Sequence, residues 1–187
     1  MSLRPAVNRE RIDVFLRRLS QAYQQPARLY LVGGTSLVFE RFRQQTLDVD
    51  LVIEVSVDQH SELIQILREI RDALGINIEE VSPADFIPLP AGFESRHEYL
   101  GRFGQIDVFH FDWYSCALSK IARGRQQDLA DVVAALRHDR LEWHKLESLY
   151  REILPLMGLK SLKQDAEVFA LNFGALQALW QSAGGTL

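Results

Sequence analysis

The chain has 187 residues, 47% of them hydrophobic and 25% charged, which excludes wholesale disorder and fits one or two compact folding units. No apolar run approaches the about 20 residues a membrane-spanning helix needs, and the first residues lack the apolar stretch of a secretory signal. A single cysteine, Cys116, excludes an internal disulfide and a cysteine-rich metal site, so a cytoplasmic, membrane-free protein is expected.

In chain order, residues 8–23 place Ile12, Phe15, Leu16 and Leu19 at helical spacing, with arginines outside. Residues 27–32 read as a short buried strand ending at Gly33-Gly34, and Thr35 to Phe42 returns to helical spacing. A strand of alternating pattern follows at 47–55. Residues 56–74 form an amphipathic helix with Asp58 as the expected N-cap, closed by Gly75. Residues 76–81 predict another strand. Residues 82–92 hold three of the six prolines and predict a loop, and 97–111 a hairpin turning at Gly104. Beyond Asp112 the periodicity is helical, over 113–123, 127–136, 142–154 and 162–180. In the last helix Leu162, Ala166, Phe169, Phe173, Leu176 and Trp180 form the expected inner face. The expected class is α+β, a mixed sheet flanked by helices and followed by a C-terminal helical bundle. The expected boundary separates residues 1–112 from 113–187.

The net charge of −4 hides an asymmetry: residues 1–47 carry a net +5, 48–112 a net −10 and 113–187 a net +1. Acid concentrated between neutral or basic flanks fits a cation site meeting a phosphate-bearing ligand, and equally an acidic solvated surface. Within the acidic block, Asp48 and Asp50 are two apart in a strand and so project from one face. Side by side they repel unless a cation lies between them. Hard oxygen donors suit Mg²⁺, with Mn²⁺ as a substitute. Asp107, in a further predicted strand, is the third candidate ligand, with Asp112 its nearby competitor. The glycine pair lets backbone approach a ligand closely, and Ser36 adds a hydroxyl. Lys120 and Arg123 share one helix face, as do Asp128 and Asp131 on the next. That set is either a pair of salt bridges stitching two helices or part of a site. The five histidines lack the spacing of a zinc site, and there is no Walker A or Rossmann fingerprint.

The string Leu31-Val32-Gly33-Gly34-Thr35-Ser36, with Thr46-Leu47-Asp48-Val49-Asp50-Leu51 after it, resembles the signature of the DNA polymerase β-like nucleotidyltransferase superfamily. It is most similar there to minimal nucleotidyltransferases and AbiEii-type toxins, and Lys120 to Arg125 with Gln127 to Val132 resembles the AbiEii-like helical segment. The resemblance implies an Mg²⁺-dependent enzyme that moves a nucleoside monophosphate from an NTP to a hydroxyl of a protein, RNA or small molecule. It implies Asp48, Asp50 and Asp107 as catalytic metal ligands, and Gly33, Gly34, Ser36, Lys120 and Arg123 as nucleotide-binding residues. A toxin with a cognate antitoxin partner is also implied. The alternative is an inactive protein of the same fold that binds nucleotide or a partner. Gly34 stands where many relatives have serine, and the gap to Asp48 is at the long end of the pattern.

Overall fold

The computed structural model describes residues 5–158 and 165–187. The chain divides into two compact units, one of residues 1–81 with 98–111 and one of 82–97 with 112–187.

The first unit opens with α1 (Arg9–Ala22), capped by the Asn8 side chain on the Arg11 N–H. Then come β1 (Ala27–Leu31), α2 (Gly33–Phe39), β2 (Asp48–Glu54), α3 (Val57–Leu74), β3 (Asn77–Glu80), β4 (Glu98–Phe103) and β5 (Ile106–His110). The strands form one mixed sheet in the order β3-β2-β1-β5-β4. β1 runs antiparallel to β2 and parallel to β5. β2 runs parallel to β3, and β4 antiparallel to β5. Alternation divides the sheet into two chemically different faces. On one face Leu29, Leu31, Val49, Leu51, Ile106 and Val108 are buried with Phe15, Leu16 and Leu19 of α1 and Leu63, Leu67 and Ile70 of α3. That apolar layer holds the unit together, since burying each such side chain contributes about 1.5–3 kcal/mol. The other face carries Arg28, Tyr30, Asp48, Asp50, Glu54 and Asp107.

Two local expectations are corrected. The helix expected from Thr35 begins at Gly33 itself, because Gly33 takes φ +57° and turns the chain directly out of β1. Ser56, not Asp58, occupies the N-cap of α3, and Asp58 lies in its first turn.

The second unit holds α4 (Trp113–Arg123), α5 (Gln126–Arg137), α6 (Trp143–Ile153) and α7 (Ala166–Ser182). The proline-rich stretch opens with a short 3-10 turn, Pro83–Asp85, and a second, Phe93–Arg96, follows it. Asp112 caps α4 by accepting from the Tyr114 and Ser115 N–H groups and takes a bidentate pair from Arg96 at 3.0 and 2.9 Å. Phe169, Phe173 and Leu176 of α7 are buried as expected, with Tyr150 stacked 3.8 Å from Phe173. Leu162 lies outside the described residues. Among the described residues, no helix is long and apolar enough to cross a membrane.

Candidate metal centre

β2 begins with Asp48-Val49-Asp50, and only Val49 belongs to the buried layer. Its two carboxylates therefore stand together on the opposite face. β3 pairs with β2 in parallel register, Asn77 beside Asp48 and Glu79 beside Asp50. Registered neighbours share a face, so Glu79 joins the pair. Asp48, Asp50 and Glu79 each offer a carboxylate oxygen within 4.8 Å of the others. Asn77 braces the group: its Nδ2 donates to Oδ1 of Asp48 at 2.7 Å and to Oε1 of Glu79 at 3.3 Å. Carboxylates this close repel one another, and a cation shared among them would relieve that. The donors are all hard oxygens, which suits Mg²⁺ or Mn²⁺ better than softer metals.

The glycine turn borders this group. A Cβ on Gly33 would stand 2.8 Å from Oδ2 of Asp50, so the missing side chain leaves room for the carboxylate. A Cβ on Gly34 would stand 2.5 Å from Oγ1 of Thr46. Thr35 stitches the turn to the acid strand: its hydroxyl accepts from the Asp50 N–H at 2.8 Å and donates to the Asp48 carbonyl at 3.4 Å.

The structure does not place Ser36 toward this space. Its side chain is buried and its hydroxyl donates to the Leu31 carbonyl at 2.8 Å, so the expected phosphate contact is corrected to an internal bond. Asp107 is corrected as well. β1 separates β5 from β2, and Asp107 lies in register with Arg28, whereas Asp50 is level with Val32. Four residues along a strand amount to about 13 Å, and two strand spacings to about 10 Å. Asp107 instead faces Arg102, 3.8 Å away.

Lys120 and Arg123 come together with Asp128 and Asp131 in the second unit. The Lys120 ammonium is buried and lies 2.6 Å from Asp131 and 3.5 Å from Asp128. Arg123 donates to Asp128 at 2.7 Å and lies over the Phe86 ring, while Gln127 donates to Asp131 at 2.9 Å. Salt bridges between α4 and α5 are thus present.

The strand Asn77–Glu80 was legible in the sequence, but not the role of Glu79. Its alternation puts Asn77 and Glu79 on one face, and only the pairing of β3 with β2 brings that face to Asp48 and Asp50. Thr35 lies inside the Leu31–Ser36 string and Asn77 beside Ile78, and neither carries a signal of its own in the sequence.

A mixed sheet with an Asp-x-Asp pair beside a glycine turn, and a third carboxylate able to share the same cation, defines a protein of the nucleotidyltransferase type. The chain belongs to the family described as nucleotidyltransferase of unknown function (DUF6036), which it matches over residues 10–173. It is also similar to a histidine–tRNA ligase of Sulfolobus acidocaldarius, 29% identical over 168 residues, covering 82% of this chain and 37% of that protein. The chain thus spans a little over a third of the length of that relative. No solved structure matches it.

Proposed function

We propose that the chain transfers a nucleoside monophosphate from an NTP to an acceptor hydroxyl, with release of pyrophosphate, at Asp48, Asp50 and Glu79. The observation that carries this is the convergence of three carboxylates within 4.8 Å beside a glycine that leaves Asp50 its space. These residues fit Mg²⁺, or Mn²⁺ in its place. When bound, such an ion neutralises triphosphate charge and favours departure of pyrophosphate. Asp48 and Asp50 would hold it, with Asn77 fixing Asp48. Glu79 is the exposed member of the three and takes the place that the resemblance gave to Asp107. It would orient the acceptor hydroxyl and accept its proton as the new bond to the α-phosphorus forms and the α–β phosphoanhydride bond breaks. Gly33 and Gly34 would offer backbone to the nucleotide phosphates, and their missing side chains leave Asp50 and Thr46 their space.

Of protein, RNA and small-molecule acceptors, the likeness to part of a histidine–tRNA ligase supports testing RNA first, with tRNA as the probe. The AbiEii-like segment supports extending the reading to a toxin with an antitoxin partner, for which the test is growth arrest on induction, abolished by Asp50→Asn. The direct test of transfer uses each α-labelled NTP with Mg²⁺ and, in turn, tRNA, lysate protein and small-molecule fractions. Label should enter one fraction with the wild-type chain and none with Asp48→Asn or Asp50→Asn. Equal labelling by the variants would refute the assignment.

A further inference from the structure

His110, the last residue of β5, is fully buried, yet nothing in the proposed reaction uses it. Its Nδ1 lies 3.2 Å from Oγ of Ser36 and its Nε2 lies 2.8 Å from Oε1 of Glu40. Ser36 and Glu40 are four residues apart, one helical turn, so a single imidazole bridges the middle of α2 to the residue that caps its C-terminus.

The protons can be counted. The Ser36 hydroxyl has one hydrogen and gives it to the Leu31 carbonyl, which can only accept. Toward His110 it therefore offers lone pairs, so Nδ1 must carry a hydrogen. A contact of 2.8 Å between Nε2 and a carboxylate oxygen requires a second hydrogen between them. The ring and Glu40 together hold two protons. That count is met by an imidazolium beside a carboxylate and by a neutral imidazole beside a carboxylic acid, which differ in whether Nε2 carries the hydrogen. The charged group facing the ring from the C-cap of α2 is Glu40, and Glu98 is in register with His110 on β4. Leu31 is its neighbour on β1, Phe39 meets it edge-on at 5.5 Å, and Arg9 of α1 lies over Phe39.

We infer that His110, as the buried cation of a Ser36–His110–Glu40 clasp, is a positioning residue that fixes the rotation of α2 and so the approach of Gly33 and Thr35 to Asp50. This rests on the cation site proposed above. Thr35 and Ser36 are adjacent on α2 and bond in different directions, Thr35 to β2 and Ser36 to Leu31 and His110. Turning α2 to release the clasp would draw Thr35 from the Asp50 N–H and shift Gly33 against the Asp50 carboxylate. His110 reaches the carboxylates only through α2.

Two measurements test this. Nitrogen-15 shifts of His110 in the wild-type chain at about pH 7.5 should show both ring nitrogens protonated, where an isolated imidazole is mostly neutral. Mn²⁺ affinity is then compared between wild type and Glu40→Gln across about pH 6 to 9. The variant lacks the counter-charge, so its ring loses the second proton at lower pH. Its Mn²⁺ affinity should fall about tenfold below wild type at about pH 8 and approach wild type near about pH 6. A residue that only contributes packing gives a ratio that does not move with pH. Should Glu40→Gln fail to fold, Ser36→Ala serves with the nitrogen-15 readout: it removes the Nδ1 partner and keeps Glu40. The Nδ1 shift should then move while Nε2 stays protonated and Mn²⁺ binding weakens, and an unmoved Nδ1 shift would overturn the clasp. An unprotonated ring nitrogen, or Mn²⁺ binding unchanged in the variant, overturns the inference. A wild-type chain that binds no Mn²⁺ overturns the cation site and the positioning role with it. Two protonated nitrogens would in that case still establish the clasp.

Discussion

Replacing Gly33 by alanine sets two effects against each other that a second glycine can separate. At φ +57° an alanine adopts the left-handed conformation, which costs about 1–2 kcal/mol. Its Cβ would also stand 2.8 Å from Oδ2 of Asp50, whereas ordinary contact begins at 3.4 Å, so the carboxylate must withdraw by the difference, 0.6 Å. Gly75 has φ +60° with nothing within 4 Å of its Cβ position, so Gly75→Ala carries the backbone cost alone. Both variants should lose about 1–2 kcal/mol of stability in urea unfolding, a shift of a few degrees in Tm. They should part in metal binding. A ligand displaced by more than about half an ångström leaves a coordination site out of tolerance, so Gly33→Ala should bind Mn²⁺ about tenfold or more weakly. Gly75→Ala should bind it as the wild type does. Wild-type Mn²⁺ affinity in Gly33→Ala, or an equal loss in Gly75→Ala, would refute the argument that the glycine exists to admit Asp50.

Asp107→Asn should leave Mn²⁺ affinity within about twofold of wild type, while Glu79→Gln should weaken it about tenfold or more, both read by calorimetry. Lys120→Met leaves Asp128 and Asp131 buried without the ammonium between them and should cost about 3–5 kcal/mol in chemical unfolding; a cost below about 1 kcal/mol would contradict the pairing. Burial, then a hydrogen bond to Glu54, raises the Tyr30 phenol from 10.0 to about 12. The folded chain therefore keeps that proton where the unfolded chain releases it. The corresponding stability is present below pH 10.0 and is lost as pH rises to about 12, a decline that Tyr30→Phe should remove from the alkaline unfolding profile.

Local physics was enough for much of this fold. Period-two alternation in Asp48-Val49-Asp50 set two carboxylates on one face, and the 3.6-residue periodicity of α1 and α3 marked the helices that cover the other. What depends on strand order was not legible. Asp107 shares the face of Asp48 and Asp50, so alternation alone makes it a plausible third ligand; only the insertion of β1 between β2 and β5 removes it. Glu79 is the converse case, since its short strand acquires meaning from an edge pairing that no local pattern encodes. A hydroxyl after a glycine turn suits a ligand as well as it suits the carbonyl of Leu31, so the sequence alone leaves Ser36 open between the two. The buried His110 decides between the two, and it lies 74 residues away in sequence.

The most direct test of the account is a crystal of the wild-type chain soaked in Mn²⁺ and measured for anomalous scattering. The account predicts a peak within about 2.0–2.6 Å of oxygens from Asp48, Asp50 and Glu79, lost in Asp50→Asn. A peak at Asp107 instead, or none beside the glycine turn in a crystal that takes up Mn²⁺ elsewhere, would contradict it.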